Sequence, residues 1–288
     1  MLAFEVERPL TLSQALAILG EGLGAAVPKA GGTDLLVWIK SRAVLPKVVV
    51  DLGLIDELRC MEFRPGEGLK LGALVTCNEV VRSEEVQTHY PALWEACRRH
   101  SDWQIRSRAT VVGNVCSAVP SGDTMPALYC YGAVVHLVGP RGERDVPIDS
   151  FVRGPRVKDL RHDELVSHIF VPDPGRNAGC YLKLGRRNAL DIAQVGVACV
   201  ALRSGEGVEY RIGLGAVAPT PLRALEAEEM LRGHFGPNDA LLERAASAAS
   251  AASRPISDVR ASAEYRRAMV GELVKEAVRI VSSRLVEG

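Results

Sequence analysis

The sequence has no apolar run long enough to cross a bilayer, and its N-terminus (Met1-Leu2-Ala3-Phe4-Glu5-Val6-Glu7-Arg8) lacks a basic stretch followed by an apolar one. A spanning helix needs roughly 20 apolar residues, and a secretory signal needs that charged-then-apolar order. The expectation is a cytoplasmic protein without membrane insertion. No C-x-x-C pair occurs among the seven cysteines, Cys60, Cys77, Cys97, Cys116, Cys130, Cys180 and Cys199. Their odd number and wide spacing fit neither a secreted disulfide framework nor a locally encoded zinc or iron–sulfur site, so they read as small core side chains. Net charge is missing too, because 35 Lys and Arg balance 35 Asp and Glu. The chain therefore lacks the cationic excess from which nucleic-acid and anionic-membrane binders gain affinity. Any anion site must be local. Neither a Walker loop, nor a G-x-G-x-x-G finger, nor an internal repeat is present, and the six histidines are scattered without a Ser–His–Asp or Cys–His arrangement. A hydrolase reading has no support.

What is present is ample core material. The 288 residues are 47% hydrophobic and 24% charged, a globular composition long enough for two domains. Residues 11–22 read as a helix with Thr11 or Ser13 as cap and Ala15, Leu16 and Leu19 as its apolar stripe. A strand over 25–30, a helix over 35–40 and a β-branched strand over 48–52 complete a β-α-β unit in the first 52 residues. From residue 58 to about 172, short strands recur at 58–63, 69–72, 134–138, 144–147 and 164–171, with one amphipathic helix over 90–100. Pro172-Asp173-Pro174-Gly175 reads as a linker. Beyond it come strands over 179–184, 191–203 and 209–217, then three helices. The last, over 262–285, carries Val270, Val274, Ala277, Val278 and Val281 on one stripe, which suits packing on the preceding strands.

Two stretches have the composition for chemistry. Lys29-Ala30-Gly31-Gly32-Thr33-Asp34-Leu35 ends a strand, bends through two glycines and opens a helix. Such a bend exposes unpaired N–H groups at the positive end of a helix, an anion cradle suited to a pyrophosphate, although a plain turn has the same composition. The second runs from Arg106 through Thr110-Val111-Val112-Gly113-Asn114 to Asp123 and Pro126. Its small residues suit an extended cofactor lying along backbone amides. Thr110 and Asn114 can hydrogen-bond it, and Asp123 is either a ribose or adenine acceptor or a turn-capping carboxylate.

These segments, with 126–137 (PALYCYGAVVHL), 164–172 (ELVSHIFVP), 181–198 (YLKLGRRNALDIAQVGVA), 213–224 (GLGAVAPTPLRA) and 264–274 (EYRRAMVGELV), resemble the FAD-binding medium subunits of the molybdenum hydroxylases. That family includes carbon monoxide, xanthine and nicotinate dehydrogenases. The resemblance implies an α+β fold. A PCMH, or vanillyl-alcohol-oxidase-type, FAD-binding domain would span 1–175, with subdomains at about 1–55 and 56–175. A C-terminal domain over 176–288 would carry a small antiparallel sheet and a helical bundle. It further implies that Lys29, Ala30, Gly31, Gly32, Thr33, Asp34 and Leu35 hold the FAD pyrophosphate from one side, and Thr110, Gly113 and Asn114 from the other. His100 and Ser101 would flank the cofactor and Asp123 would take its ribose or adenosine end. Leu165 would lie against the isoalloxazine, and Lys183 would reach it from the C-terminal domain.

The implied function is electron transfer. FAD here would accept electrons from [2Fe–2S] clusters on a small subunit, fed by a molybdenum cofactor on a large subunit, and pass them to NAD or another acceptor in a dimer of heterotrimers. An autonomous FAD oxidoreductase and a scaffold that has lost its flavin are the alternatives. The second arises from Val112, which stands where the family has a glycine. Either φ is negative there and the amide survives, or the grip on phosphate loosens. Arg186 and Arg187 read as a solvated turn, with Asp191 pairing one of them.

Overall fold

A computed structural model describes residues 3–205 and 207–287; the first two residues of the N-terminal stretch read above lie outside them. Thr11 caps the first helix, Leu12–Glu21, by accepting from the Gln14 N–H. Its buried Ala15 and Leu19 pack on a three-stranded sheet. Strand Val48–Asp51 lies centrally there, parallel to both Glu5–Glu7 and Ala26–Lys29. Parallel pairing puts the C-terminal ends of these strands on one edge, and the segment after Lys29 leaves from that edge into helix Leu35–Lys40.

The second unit is a five-stranded antiparallel sheet in the order Met61–Arg64, Gly68–Gly72, Leu165–Pro172, Val134–Gly139, Gly142–Pro147. Strand Leu165–Pro172 is last in the chain yet central in the sheet. The sequence reading expected one helix in this region; the structure has several, including Cys77–Arg82, Glu84–His89, Pro91–Arg99, Val111–Ser117 and Met125–Tyr131. The reason is physical. Apart from Pro91–Arg99, the helix expected over 90–100, each spans about two turns, too few for a 3.6-residue stripe to show, and Met125–Tyr131 is buried at every residue, so it has no polar face at all. Caps carry the signal instead, from Thr76, Ser83 and Thr110. The stretch from Thr110, to which the sequence reading gave no element, is thus helical over Val111–Ser117.

The C-terminal unit is a four-stranded antiparallel sheet of Asn177–Leu184, Val195–Ser204, Gly207–Gly215 and Leu222–Arg223. Helices Leu225–Leu231, Asp239–Ala252 and Ala263–Glu287 follow. The second strand starts at Val195 rather than 191, because Asp191 turns the chain by accepting from the Arg186 and Arg187 backbone N–H groups; among the described residues it pairs with no guanidinium. Over 195–202 the strand Val195–Ser204 is apolar on both faces, and the alternation shows why. Val197, Cys199 and Ala201 join Val270, Val274 and Val278 of the last helix, whereas Ala198, Val200 and Leu202 join the core of the preceding unit. The sheet is therefore a middle layer. Closeness of that seam demands glycine at 213, where a β-carbon would overlap the Pro126 carbonyl of helix Met125–Tyr131.

Gly213→Ala is expected to destabilise the protein by about 1–3 kcal/mol, the usual cost of overpacking a filled core. Limited proteolysis within 173–176 should accelerate. An unchanged melting temperature with unchanged cleavage would show that the seam is not tight.

Candidate functional site

A cavity of about 310 Å³ opens between the parallel unit and the antiparallel unit, and both stretches singled out above line it. Gly31 lies so close to the other stretch that a β-carbon there would overlap the Arg108 carbonyl, while Gly32 adopts φ +77°. Only glycine meets both demands without strain. The backbone N–H groups of Gly31, Gly32, Thr33 and Asp34 have no partner among the described residues, although all four residues are half-buried. Four such donors in one bend, before a helix, form a positive concavity for an anion.

The facing stretch is built by Thr110. Its Oγ1 accepts from the Gly113 N–H at 2.9 Å, and a β-carbon at Gly113 would crowd that oxygen. The Thr110 and Val111 backbones are tied to strand-like partners at Thr76 and Val75. The Val112 N–H is left without a partner among the described residues. Val112 is a regular helical residue, absent from the positive-φ set, so its amide is presented as a glycine's would be and its side chain is buried. Asn114 spends its Oδ1 on the buried Thr124 hydroxyl at 2.7 Å. The Ser117 hydroxyl donates to the Asp34 carboxylate, joining the two stretches directly.

Lys29 lines the cavity but pairs with Asp51 at 2.8 Å. Burial alone would raise the Asp51 carboxyl; the Lys29 bond, the Gly53 N–H and the charges of Lys29 and Arg8 together outweigh it and the pKa is lowered. Leu165 lines the same cavity from the central strand. His100 does as well, with Nδ1 at 3.1 Å from Asp123 Oδ2. Ser101, Asp123 and Lys183 are not among the lining residues. Asp123 is 5% exposed and is taken up by three donors: His100, the Tyr181 hydroxyl at 2.9 Å and Lys183 Nζ at 2.8 Å. The structure thus brings Lys29 to Leu35, Thr110, Gly113, Asn114, Leu165 and His100 together, and puts Asp123 and Lys183 beneath them.

Sequence reasoning did not single out Lys158, Arg161, His162 or Trp38, which also line the cavity. The first three precede the central strand, and only the strand order places them here. Their segment is anchored by Arg144, which donates to Glu164 at 2.9 and 2.8 Å and to Asp159. Arg144 holds the Glu164 carboxyl down at about 2 against its burial.

Residues 2–174 match the family described as the FAD binding domain in molybdopterin dehydrogenase, and 180–281 the CO dehydrogenase flavoprotein C-terminal domain. The chain is similar to the carbon monoxide dehydrogenase medium chain of Hydrogenophaga pseudoflava, 35% identical over 283 residues and 98% of each chain. It is also similar to a putative xanthine dehydrogenase FAD-binding subunit of Escherichia coli, 33% identical over 96% of this chain and 97% of that one. Among solved structures, reconstituted CO dehydrogenase from Oligotropha carboxidovorans superposes with a TM-score of 0.93 at 32% identity, covering 99% of this chain and 100% of that one.

The Glu164 pKa gives a pH test. A carboxyl lowered to about 2 in the folded protein and near ~4.3 when unfolded contributes stability above the unfolded value, lost as pH falls through the folded one. The stability gap between the wild type and Glu164→Gln, read by denaturant midpoints, is expected to shrink between about pH 4.5 and 2. A gap constant across that window would show that Arg144 does not hold this carboxylate.

Proposed function

This chain belongs to the FAD-binding medium subunits of the molybdenum hydroxylases, and from that premise we propose that it is the electron outlet of a heteromeric dehydrogenase. In this reading a large subunit carries the molybdenum cofactor, and a small subunit carries [2Fe–2S] clusters that feed FAD in this chain. NAD or another acceptor takes the electrons onward. The assembly is a cytoplasmic dimer of heterotrimers. Relatives named for carbon monoxide dehydrogenase and xanthine dehydrogenase support the subunit role.

The observation that carries the reading is the convergence of unpaired N–H groups from two distant stretches, Gly31 to Asp34 and Val112, on one cavity. A dinucleotide pyrophosphate is the ligand class that such paired cradles suit. Bound FAD supplies the two-electron redox chemistry; the chain supplies binding, orientation and electrostatics. Gly31 and Gly32 let backbone approach the phosphates. Thr110 holds the opposing turn open at Val112, and the Asp34–Ser117 bond keeps the two turns in register. Lys158 and Arg161 add positive charge on the far wall. The scaffold alternative loses its motive, since Val112 keeps its amide in place.

Gly31→Ala is expected to weaken FAD retention at least tenfold, about 1.4 kcal/mol, measured by flavin release during dialysis. Val112→Gly is expected to retain FAD while losing roughly 1 kcal/mol of helix stability or more. For the outlet role, NADH should bleach the flavin band of the purified assembly anaerobically, and iron analysis should find the clusters on a co-purifying small subunit. An assembly without iron, or a flavin that no nicotinamide or artificial acceptor exchanges electrons with, would overturn it.

A further inference from the structure

A buried polar group surrounds Asp123 where the antiparallel and C-terminal units meet. His100 ends helix Pro91–Arg99 as its C-cap, and its side chain is 16% exposed. Nδ1 is committed to Asp123, and Arg106 Nη1 donates to the His100 carbonyl at 3.1 Å, so ring and backbone are both anchored. Nε2 has no partner among the described residues, yet His100 lines the cavity. Asp123 in turn takes the Lys183 ammonium and the Tyr181 hydroxyl, both from strand Asn177–Leu184 of the C-terminal unit.

We propose that His100 Nε2 contacts the flavin ring and sets the charge presented to it, and that Asp123, with Lys183 and Tyr181, is a positioning residue governing that imidazole from the C-terminal unit. The inference rests on FAD occupying the cavity. A carboxylate on Nδ1 aims the ring, selects its tautomer and stabilises its cationic form. With the side chain mostly buried, water screens that charge less than it would at the surface. A reduced flavin carries partial negative charge, so imidazolium favours reduction and neutral imidazole does not.

The groups facing His100 set the direction. Burial disfavours its cation, and Lys183 repels it. The Asp123 hydrogen bond and the fields of Cys77 and Asp123 outweigh them, leaving the pKa above the ordinary histidine value. Cys97 lies beside Cys77, and Arg106 reaches the His100 carbonyl from the next helix.

The test is the midpoint potential of the bound flavin across about pH 5 to 9 in FAD-loaded assembly, with FAD content measured first. In the wild type the potential is expected to fall more steeply where His100 loses its proton. His100→Gln should lack that bend, lying below the wild type at the acid end and meeting it at the alkaline end. Asp123→Asn should move the bend to lower pH, because Lys183 is left uncompensated. A purely structural role would lower the melting temperature of His100→Gln without altering the bend, and that result overturns the proposal. So does an Asp123→Asn protein whose bend stays in place. Should Asp123→Asn not fold, the comparison of His100→Gln with the wild type decides alone. Wild-type assembly free of FAD would instead refute occupancy of the cavity.

Discussion

The carbonyl of Arg108 occupies the space that a side chain at residue 31 would need. That contact between backbones joins the parallel unit to the antiparallel unit at its most intimate point. Because it admits no β-carbon, the N–H groups after Gly31 and the N–H of Val112 face the same space rather than separate faces. A wider separation, filled by side chains, would leave two ordinary helix starts. Each of those helices is short, Leu35–Lys40 and Val111–Ser117, and neither alone would hold a dinucleotide. Their convergence makes the site.

The C-terminal unit enters the same logic through its sheet. With both faces of strand Val195–Ser204 buried over 195–202, the sheet cannot slide without exposing apolar surface, at roughly 25 cal/mol per Å². Its first strand therefore delivers Tyr181 and Lys183 to Asp123 at fixed positions. A buried carboxylate costs several kcal/mol unless its lone pairs are met, and here three donors meet them. Packing that looks merely structural thus determines which polar atoms remain free at the cavity wall, His100 Nε2 among them.

Legibility in the sequence followed element length and locality. The first helix, the strand over Val48–Asp51 and the long last helix were readable because period and caps act within a dozen residues. The two glycine-bearing stretches were readable because Gly31-Gly32 and Thr110 declare their backbone needs locally. Met125–Tyr131 was not, since a helix buried on every side has no stripe. Lys158 and Arg161 were not, because only the central place of Leu165–Pro172 in the sheet carries them to the cavity. Asp123 shows the limit most clearly. Its neighbours in sequence suggest a turn or a ligand contact, whereas its donors come from residues 23, 58 and 60 positions away.

Zero net charge acquires a meaning in this light. Steering an anionic cofactor by a general positive field would also attract nucleic acid and anionic surfaces. This chain meets an anion largely with backbone dipoles, which have no long-range field once paired with a ligand, and pairs several nearby charged side chains internally: Lys29 with Asp51, Lys183 with Asp123, Arg144 with Glu164. The charges are held so that the cavity wall varies little as solvent conditions change. His100, between Asp123 and the cavity, keeps Nε2 without a partner among the described residues, so this wall also carries a titratable ring whose other nitrogen is anchored.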